Sequence, residues 1–401
     1  MTMDTIEQAV ILAGGLGTRL RPLTDDRAKP MITVGGKPFL EHIIADLANQ
    51  GIQRILLLLG YKSDSVMDYF GDGRSFGVSI TYSVTNVEDM TGRRLKRALP
   101  LLDKHFLLMY CDNYCPLSIQ LLWNAYQSRN IQGQLCVYAN EDGYTRNNVS
   151  VTEDMYVAQY DKTRTAPGLA GVDIGYAVFN RNCIERLTNR NVMFESAVYQ
   201  GLVAAHSLGA YVTRHRYYSI GSLERLETTD SFFTGRPVVI LDRDGVLNRR
   251  APKAQYITIA NDFEWLPGSL EALRILKESG YRVAVITNQA GIARGIMSED
   301  DLAAIHGRMR REALESGGSI DAVFHCPHGW DDGCSCRKPA PGMLYDVQHA
   351  FDIDLRKTVF IGDDERDEIA GKAAGCITML VSESYPLIKA VKDLMANGRM
   401  N

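Results

Sequence analysis

The 401-residue sequence lacks the long apolar runs that mark membrane proteins. A membrane-spanning helix needs ~20 consecutive apolar residues, and every apolar run in this chain is far shorter. The chain also lacks internal repeats, low-complexity tracts and, at its start, the basic region of a secretory signal peptide. We therefore expect a globular protein of the cytoplasm that does not act on a membrane.

Net charge is nearly absent as well. The 44 lysine and arginine residues face 48 aspartate and glutamate residues, which leaves a formal net charge of -4. This balance excludes a broad basic field of the kind that binds nucleic acid or anionic lipid. The expected partners are small molecules, and the sequence leaves open whether several chains form an oligomer.

Cysteine is scarce and unevenly placed. Eight cysteines are too few for a disulfide scaffold in a chain of this length, yet three of them lie between positions 326 and 336. With one histidine they form the set Cys326, His328, Cys334 and Cys336. Three thiolates and an imidazole make a closed tetrahedral site for Zn²⁺, with no open position for chemistry. We predict a structural zinc ion; the alternative is three free thiols and a surface histidine in a glycine-rich loop.

Length and pattern predict two α/β domains, because 401 residues exceed the usual size of one hydrophobic core. Short aliphatic runs alternate with amphipathic helical stretches, which is typical of mainly parallel sheets. The clearest strand-like runs are residues 9–13, 54–59, 106–110, 238–241, 283–286 and 358–361. Residues 228–237 carry turn-forming residues without a helical period. We place the boundary near residue 232, between domains of residues 1–231 and 232–401.

The second domain opens on a pair of carboxylates. The strand 238–241 leads into Asp242 and Asp244, and on extended backbone residues two apart lie on the same side. One carboxylate can then attack phosphorus to form an aspartyl-phosphate, while the other transfers protons. The alternative interpretation is a solvated Asp-x-Asp turn before Gly245.

Later segments of this domain supply further polar groups near predicted strand ends. In chain order these are a hydroxyl with two amides, then two cations, then three carboxylates. The hydroxyl, the amides and the cations can bind phosphoryl oxygens, and the carboxylates are oxygen ligands of the kind that Mg²⁺ prefers. Ligands of open α/β sheets bind at this carboxyl edge. The residues are Thr287, Asn288 and Gln289; Arg337 and Lys338; and Asp363, Asp364 and Asp367.

These pieces, in this order, resemble the haloacid dehalogenase superfamily over residues 238 to about 385. The resemblance implies a parallel Rossmann-like sheet, with Asp242 as nucleophile and Asp244 as general acid and base. It further implies that Thr287 and Lys338 grip the phosphoryl group. The resemblance also implies that Asp363 completes a magnesium site together with Asp242 and Asp244.

Three features together resemble, more narrowly, phosphatases acting on D-glycero-D-manno-heptose 1,7-bisphosphate and on histidinol phosphate. They are the loop that contains the predicted zinc ligands (the zinc loop), the Asp242 motif and the segment 288–295. The short spacings leave little room for a cap domain, so specificity must come from residues 248–262, 291–297 and the zinc loop. Arg294 is the candidate for holding a second phosphate. Asp364 departs from the resemblance, because lysine is the residue expected there.

The first domain carries a glycine-rich segment after its opening strand. Glycines let backbone N–H groups approach a triphosphate, and nearby cations add charge. The segment is neither a dinucleotide fingerprint nor a P-loop. Over residues 8 to about 226 it resembles sugar 1-phosphate nucleotidyltransferases, which implies a mixed α/β sheet, a magnesium-binding Asp112 and a phosphate contact by Lys162. The other implied nucleotide contacts are Gly14, Gly15, Gly17, Thr18, Arg19 and Lys29.

Three departures from the resemblance leave the activity of the first domain open, one of which is that residues 161–163 match an expected Glu-Lys-Pro only in part. Ser219 stands where the resemblance predicts a metal-binding carboxylate, and a hydroxyl is a poorer ligand for a hard cation. Arg93 fills an expected glycine position near the nucleotide. The domain is therefore either an active guanylyl-type transferase, using a sugar 1-phosphate and a nucleoside triphosphate such as GTP, or a binding module that scaffolds the phosphatase.

The two resemblances fit consecutive reactions. Removing the 7-phosphate of heptose 1,7-bisphosphate leaves heptose 1-phosphate, which a transferase would convert to a nucleotide-activated heptose for bacterial surface polysaccharide such as lipopolysaccharide. The alternative substrate of the phosphatase is histidinol phosphate or another sugar phosphate.

Overall fold

The computed structural model describes residues 5–252 and 255–396. Residue contacts divide the chain into two compact units, the first ending at Phe233 and the second beginning at Thr234. Among the described helices, none is both long enough and apolar enough to cross a membrane. The specificity loop predicted at residues 248–262 includes positions 253 and 254, which lie outside the described residues.

The first unit is built on a seven-stranded mixed sheet in the order β12-β8-β11-β6-β1-β4-β5. Strand β11 runs antiparallel to both β6 and β8, whereas β1 is parallel to β4 and β6. The strands of this unit are β1 (Gln8–Ala13), β2 (Thr33–Val34), β3 (Lys37–Pro38), β4 (Arg54–Leu59), β5 (Ser79–Val84), β6 (His105–Tyr110), β7 (Asn113–Tyr114), β8 (Gly133–Tyr138), β9 (Val149–Val151), β10 (Val157–Tyr160), β11 (Val172–Asn180), β12 (Leu208–Thr213) and β13 (Tyr218–Ser219).

Helices cover both faces of this sheet, and apolar side chains fill a core on each face. From β1 the chain goes first to β4 and β5 and then crosses to β6 on the other side. The switch point between β1 and β6 is where an open α/β sheet forms a crevice for ligands. The helices are α1 (Phe39–Asn49), α2 (Ser63–Phe70), α3 (Thr91–Ala98), α4 (Ile119–Gln127), α5 (Asn182–Glu185), α6 (Phe194–Ala204) and α7 (Leu223–Thr234).

Helix α7 corrects the expectation that residues 228–237 have no regular structure, because the helix continues to Thr234. Two aromatic side chains at its end explain the difference. Phe232 stacks on Tyr218 with ring centres 3.9 Å apart, and Phe233 stacks on His42 at 3.8 Å. Packing of these rings outweighs the low helix propensity of the threonines before them. The boundary near residue 232 falls within this helix and stays a prediction.

The second unit has a five-stranded, entirely parallel sheet in the order β16-β15-β14-β17-β18. Its central strand is apolar on both faces, since Val239 and Leu241 enter one core and Val238 and Ile240 the other. Such double burial is typical of a parallel sheet covered by helices. The strands are β14 (Val238–Asp242), β15 (Arg282–Asn288), β16 (Ala322–Cys326), β17 (Val359–Gly362) and β18 (Ile377–Leu380).

The switch point of this second sheet lies between β14 and β17. Strand ends carrying Asp242 and Asp363 therefore meet at one edge. In the part that the structure describes, the connections after β14 and β15 each contain one α-helix and no large cap. The helices are α8 (Ser269–Glu278), α9 (Glu299–Glu315), α10 (Gly342–Phe351), α11 (Glu365–Ala373) and α12 (Leu387–Ala396). The predicted α/β class with two sheets is confirmed.

Candidate active sites

Three carboxylates converge at the carboxyl edge of the second sheet. Asp242, Asp363 and Asp367 each place an oxygen within 4.8 Å of the others. Lys338 joins two of them, because its Nζ lies 2.7 Å from Asp242 Oδ1 and 2.7 Å from Asp367 Oδ1. Clustered carboxylate oxygens are the donor set that Mg²⁺ prefers, so these residues fit the predicted ion.

Electrostatics in this group also favour a cation. Burial, reinforced by the charge of Asp242, raises the pKa of Asp363 to about 7. Burial likewise raises the pKa of Asp242 to about 6, although Lys338 acts against the shift. For Lys338, burial acts to lower the pKa, but the charges of Asp242 and Asp367 outweigh it and the pKa is raised. The lysine therefore stays charged, and further positive charge would relieve the repulsion among the carboxylates.

Gly245 permits this close approach. Its φ is +96°, and a Cβ at this position would lie 1.8 Å from Asp363 Oδ2. A side chain here would therefore displace the carboxylate from the metal group.

Asp244 lies beside this group and outside it. Its carboxylate accepts hydrogen bonds from Asn248 Nδ2 and Gln289 Nε2, each at 2.9 Å, and pairs with the fully buried Arg243 at 2.8 Å. Burial acts to raise the pKa of Asp244, but the charge of Arg243 and the hydrogen bonds lower it overall. Of the predicted magnesium ligands, the structure brings Asp242 and Asp363 together with Asp367, whereas the Asp244 carboxylate faces Arg243.

The three polar residues at the end of β15 have different contacts. Thr287 and Gln289 face Asp244, with Gln289 Nε2 donating to Thr287 Oγ1 at 2.9 Å. Asn288 is paired with the backbone of Lys338, since its amide donates to the carbonyl and accepts from the N–H, both at 3.0 Å. Thr287 and Gln289 are thus oriented toward the reacting centre, and Asn288 fixes the lysine.

A cleft of about 850 Å³ opens over these groups, and four arginines line it besides Lys338, one of which is the buried Arg243. Arg337 was predicted; its Nη1 lies 3.4 Å from the carbonyl of His328. Arg250 and Arg366 were missed by the sequence reasoning. The replacement at Asp364 was the available signal for Arg366, because that arginine pairs with Asp364 through two contacts of 2.9 Å. Arg250 lies in an irregular loop where periodicity gives no signal.

Arg294, the candidate for holding a second phosphate, lies against two aromatic side chains, and its phosphate contact stays a prediction. Its guanidinium carbon lies 5.1 Å from the ring centre of Trp330 and 5.8 Å from that of Tyr256, two side chains that line the cleft. Its Nη1 donates to the Tyr256 hydroxyl at 3.4 Å. The residue therefore links the loops around the cleft through cation–π contacts.

The zinc-loop residues form a second cluster. Cys326, His328, Cys334 and Cys336 all place ligand atoms within 4.8 Å of one another. The closest sulfur–sulfur separations are 3.5 and 3.6 Å, and His328 Nδ1 lies 3.2 Å from Cys336 Sγ. Zinc–sulfur bonds of about 2.3 Å in a tetrahedron separate sulfurs by about 3.8 Å. The four side chains fit a zinc ion.

The glycine-rich segment of the first unit shows two kinds of glycine. Gly17 has φ +65° and precedes a 3₁₀ turn at Thr18–Leu20, while Gly15, Thr18 and Arg19 are exposed. Gly14 is buried, and a Cβ there would lie 2.4 Å from the guanidinium carbon of Arg94. Space for Arg94, which the sequence reasoning missed, is thus a structural reason for Gly14.

Arg94 bridges the carboxyl ends of β1, β4 and β5. It is buried and donates to the carbonyls of Leu59 at 2.7 Å, Asn86 at 2.9 Å and Gly14 at 3.1 Å. Arg93, singled out from the sequence, turns to Asp89 at 3.4 Å. On helix α3 it is therefore Arg94, and not Arg93, that faces the interior.

Lys29 and Asp112 meet at the switch point of the first sheet, with Lys29 Nζ 2.5 Å from Asp112 Oδ2. Ser219 is buried on β13, where it pairs with Asn113. Lys162 pairs with a different carboxylate, since its Nζ lies 3.0 Å from Glu195 Oε1. Glu195, which is buried and also accepts from Tyr110, had no sequence signal.

Comparison with known proteins matches each unit to a family. A nucleotidyl transferase family model matches residues 8–138, and a haloacid dehalogenase-like hydrolase model matches residues 187–375. The chain is 44% identical over 144 residues to the D-glycero-beta-D-manno-heptose-1,7-bisphosphate 7-phosphatase of Bordetella bronchiseptica, covering 36% of this chain and 79% of the relative. It is 38% identical over 172 residues to the D-glycero-alpha-D-manno-heptose-1,7-bisphosphate 7-phosphatase of Photorhabdus laumondii. This match covers 41% of this chain and 92% of the relative.

Among solved structures, HddC from Yersinia pseudotuberculosis complexed with GMP-PN is 26% identical, with a TM-score of 0.49, and covers 57% of this chain and 100% of that one. The order of the two family matches agrees with the order of the two sheets, although the hydrolase match begins at residue 187, within the first unit. The chain belongs to the haloacid dehalogenase-like hydrolases through its second unit and carries a nucleotidyltransferase domain as its first.

Proposed function

We propose that the second unit removes the 7-phosphate of D-glycero-D-manno-heptose 1,7-bisphosphate through an aspartyl-phosphate on Asp242. The observation that carries this proposal is the position of Asp242 at the end of β14, 2.7 Å from Lys338 and grouped with Asp363 and Asp367. The named activity of the curated relatives supports the choice of substrate. Both anomers of the sugar occur among those names.

The geometry supports a two-step displacement. An oxygen of Asp242 attacks the phosphorus, the bond to the sugar oxygen breaks, and Asp244 supplies the proton that this oxygen takes. Lys338 and Thr287 hold the phosphoryl oxygens. Asp242 and Asp363 would hold magnesium, which would neutralise charge on the transferring group.

The second step regenerates the carboxylate. Asp244, now ionised, accepts a proton from water as the water oxygen attacks phosphorus, and inorganic phosphate leaves Asp242. Arg243, Asn248 and Gln289 favour the ionised Asp244 that this step needs. An approaching phosphate dianion raises the pKa of a neighbouring carboxyl, which lets Asp244 carry its proton in the first step.

The test is phosphate release from the purified chain with heptose 1,7-bisphosphate and magnesium. Asp242→Asn is expected to abolish release, whereas Asp300→Asn, an exposed carboxylate at the start of α9, is expected to match the wild type. Persistent phosphate release by the Asp242→Asn protein would rule out Asp242 as the nucleophile. Faster turnover of histidinol phosphate than of the heptose would replace the substrate with the alternative.

We infer that Cys326, His328, Cys334 and Cys336 hold a structural zinc ion. Their ligand atoms are grouped for four-coordination, and Arg337 and Lys338 follow Cys336 directly in the chain. The ion would fix a loop of little apolar content next to the reacting centre. Metal analysis should find about one zinc per chain.

We also propose that the first unit transfers a nucleotidyl group from a nucleoside triphosphate, GTP in the first instance, to the heptose 1-phosphate that the phosphatase releases. The Lys29–Asp112 pair at the switch point between β1 and β6 favours this activity. Such a co-substrate is consistent with the expected cytoplasmic location. Pyrophosphate release that disappears in Asp112→Ala would support it. Absence of pyrophosphate with GTP, ATP, CTP and UTP would leave a binding module, in line with Ser219.

A further inference from the structure

Arg250 reaches a candidate metal ligand from the open side of the cleft. Its Nη2 lies 2.5 Å from Asp363 Oδ1 and its Nη1 lies 3.4 Å from Asp364 Oδ2. The arginine side chain is 43% exposed, whereas that of Asp363 is 14% exposed. The guanidinium therefore neutralises, from solvent, a carboxylate of the group that fits magnesium.

The backbone just before Arg250 is fixed. Asn248 is buried, and its amide donates to Asp244 Oδ1 and to the carbonyl of Arg249, both at 2.9 Å. The N–H of Arg249 donates to the carbonyl of Glu264 at 2.8 Å. An anchored backbone with an exposed side chain lets the guanidinium change partner while its starting point stays beside the cleft.

The other cations along the described part of the cleft pair with groups other than Asp363. Lys338 is buried between Asp242 and Asp367. Arg366 pairs with Asp364 through two contacts of 2.9 Å. Arg250 thus combines exposure with a contact to Asp363.

We propose that Arg250 and Mg²⁺ compete for Asp363, and that metal binding turns Arg250 toward the substrate phosphate that is not cleaved. Magnesium requires carboxylate oxygens, and a guanidinium released from one binds a phosphate through two hydrogen bonds. Because binding free energies are linked, metal and bisphosphate each raise the affinity for the other. The phosphate-anchoring half of this inference rests on the phosphatase function proposed above.

The first arm of the test is calorimetric titration of Mg²⁺ into the full chain without substrate. Arg250→Gln should bind Mg²⁺ roughly three- to fivefold more tightly than the wild type, the range expected for loss of one partly exposed ion pair. The matched control is Arg249→Gln, because Arg249 pairs with Glu264 at 3.2 Å, and its magnesium affinity should equal that of the wild type. Unchanged or weaker binding by Arg250→Gln overturns the competition.

The second arm compares heptose 1,7-bisphosphate with the same sugar carrying only the 7-phosphate. Arg250→Gln should raise KM for the bisphosphate about tenfold, the effect of losing a charge-assisted contact. For the monophosphate at saturating Mg²⁺, KM and kcat should change less than about twofold. An equal loss with both sugars overturns the anchor. A chain that hydrolyses neither sugar would refute the proposed function, while the magnesium titration would still decide the competition.

Discussion

At the scale of single residues, the phosphatase centre depends on contacts that only glycine permits. Gly245 leaves room for Asp363, and a Cβ at Gly362 would lie 2.3 Å from that of Asp367. The carboxylates themselves were predictable because they follow aliphatic strands. Which of them face one another was not predictable. Asp244 was expected in the metal group but pairs with Arg243. Asp367, which contacts Lys338, takes its place in the group.

Gly245→Ala should therefore abolish magnesium-dependent stabilisation. The new Cβ must displace Asp363, and the left-handed φ adds roughly 1–2 kcal/mol of strain. Thermal unfolding with and without MgCl₂ measures both effects. Gly295→Ala is the matched control, because Gly295 also has positive φ, at +65°, but nothing lies within 4 Å of its Cβ position. If Gly245→Ala responded to magnesium as Gly295→Ala does, the glycine would not protect the site.

His306 should make the second unit less stable in acid. Burial, reinforced by the charges of Arg243 and His325 and opposed by Asp244, lowers the pKa of His306 to about 3. In the unfolded chain the pKa of His306 is near 6.5. Below that pH the unfolded state binds a proton at His306, whereas the folded state does not. The free energy of unfolding then falls by about 2 kcal/mol between pH 7 and pH 5.

Urea unfolding at the two pH values tests this effect. His306→Gln keeps a polar side chain next to Arg243 but does not titrate, so its loss between pH 7 and pH 5 should be about 2 kcal/mol smaller than that of the wild type. Equal losses in the two proteins would show that His306 titrates normally in the folded state.

At the scale of elements, the sequence predicted most accurately where a strand is buried on both faces. The runs before Asp242 and Asn288 read as strands because aliphatic residues dominate them, and β14 and β15 lie there. Residues 228–234 were not predictable from local propensity, since long-range ring stacking by Phe232 and Phe233 extends α7. The loop positions of Arg250 and Trp330 likewise depend on tertiary contacts.

Removal of zinc should disturb the catalytic lysine through its loop. Cys334→Ser is expected to lose the zinc ion and to lower kcat, because Lys338 follows the zinc loop and its backbone depends on Asn288. Metal analysis and phosphate release measure the two effects. Cys376→Ser is the control, since Cys376 lies outside the cluster. Full activity in a zinc-free Cys334→Ser protein would contradict the proposed role of the loop.

At the scale of the whole molecule, two sheets of different topology each present a switch point with charged groups. The mixed sheet carries Lys29 and Asp112, and the parallel sheet carries Asp242 and Asp363. Chemistry connects the two proposals, because the product of phosphate removal is a sugar 1-phosphate. The chain therefore fits two successive reactions with separate residues.

Separate sites should lose their activities independently. Asp112→Ala should stop pyrophosphate release and leave phosphate release from heptose 1,7-bisphosphate unchanged within about twofold. Asp242→Asn should stop phosphate release and leave pyrophosphate release from supplied heptose 1-phosphate unchanged. Loss of both activities in either variant would show that the sites are not independent.

The central claim is that Asp242 is the nucleophile, and a rapid acid quench tests it most directly. After milliseconds of reaction with heptose 1,7-bisphosphate and magnesium, peptide mass analysis should find a phosphoryl group on Asp242, and Asp242→Asn should carry none at that position. A phosphoryl group on another residue, or turnover by the wild type without any covalent phosphoryl-enzyme, would contradict the account.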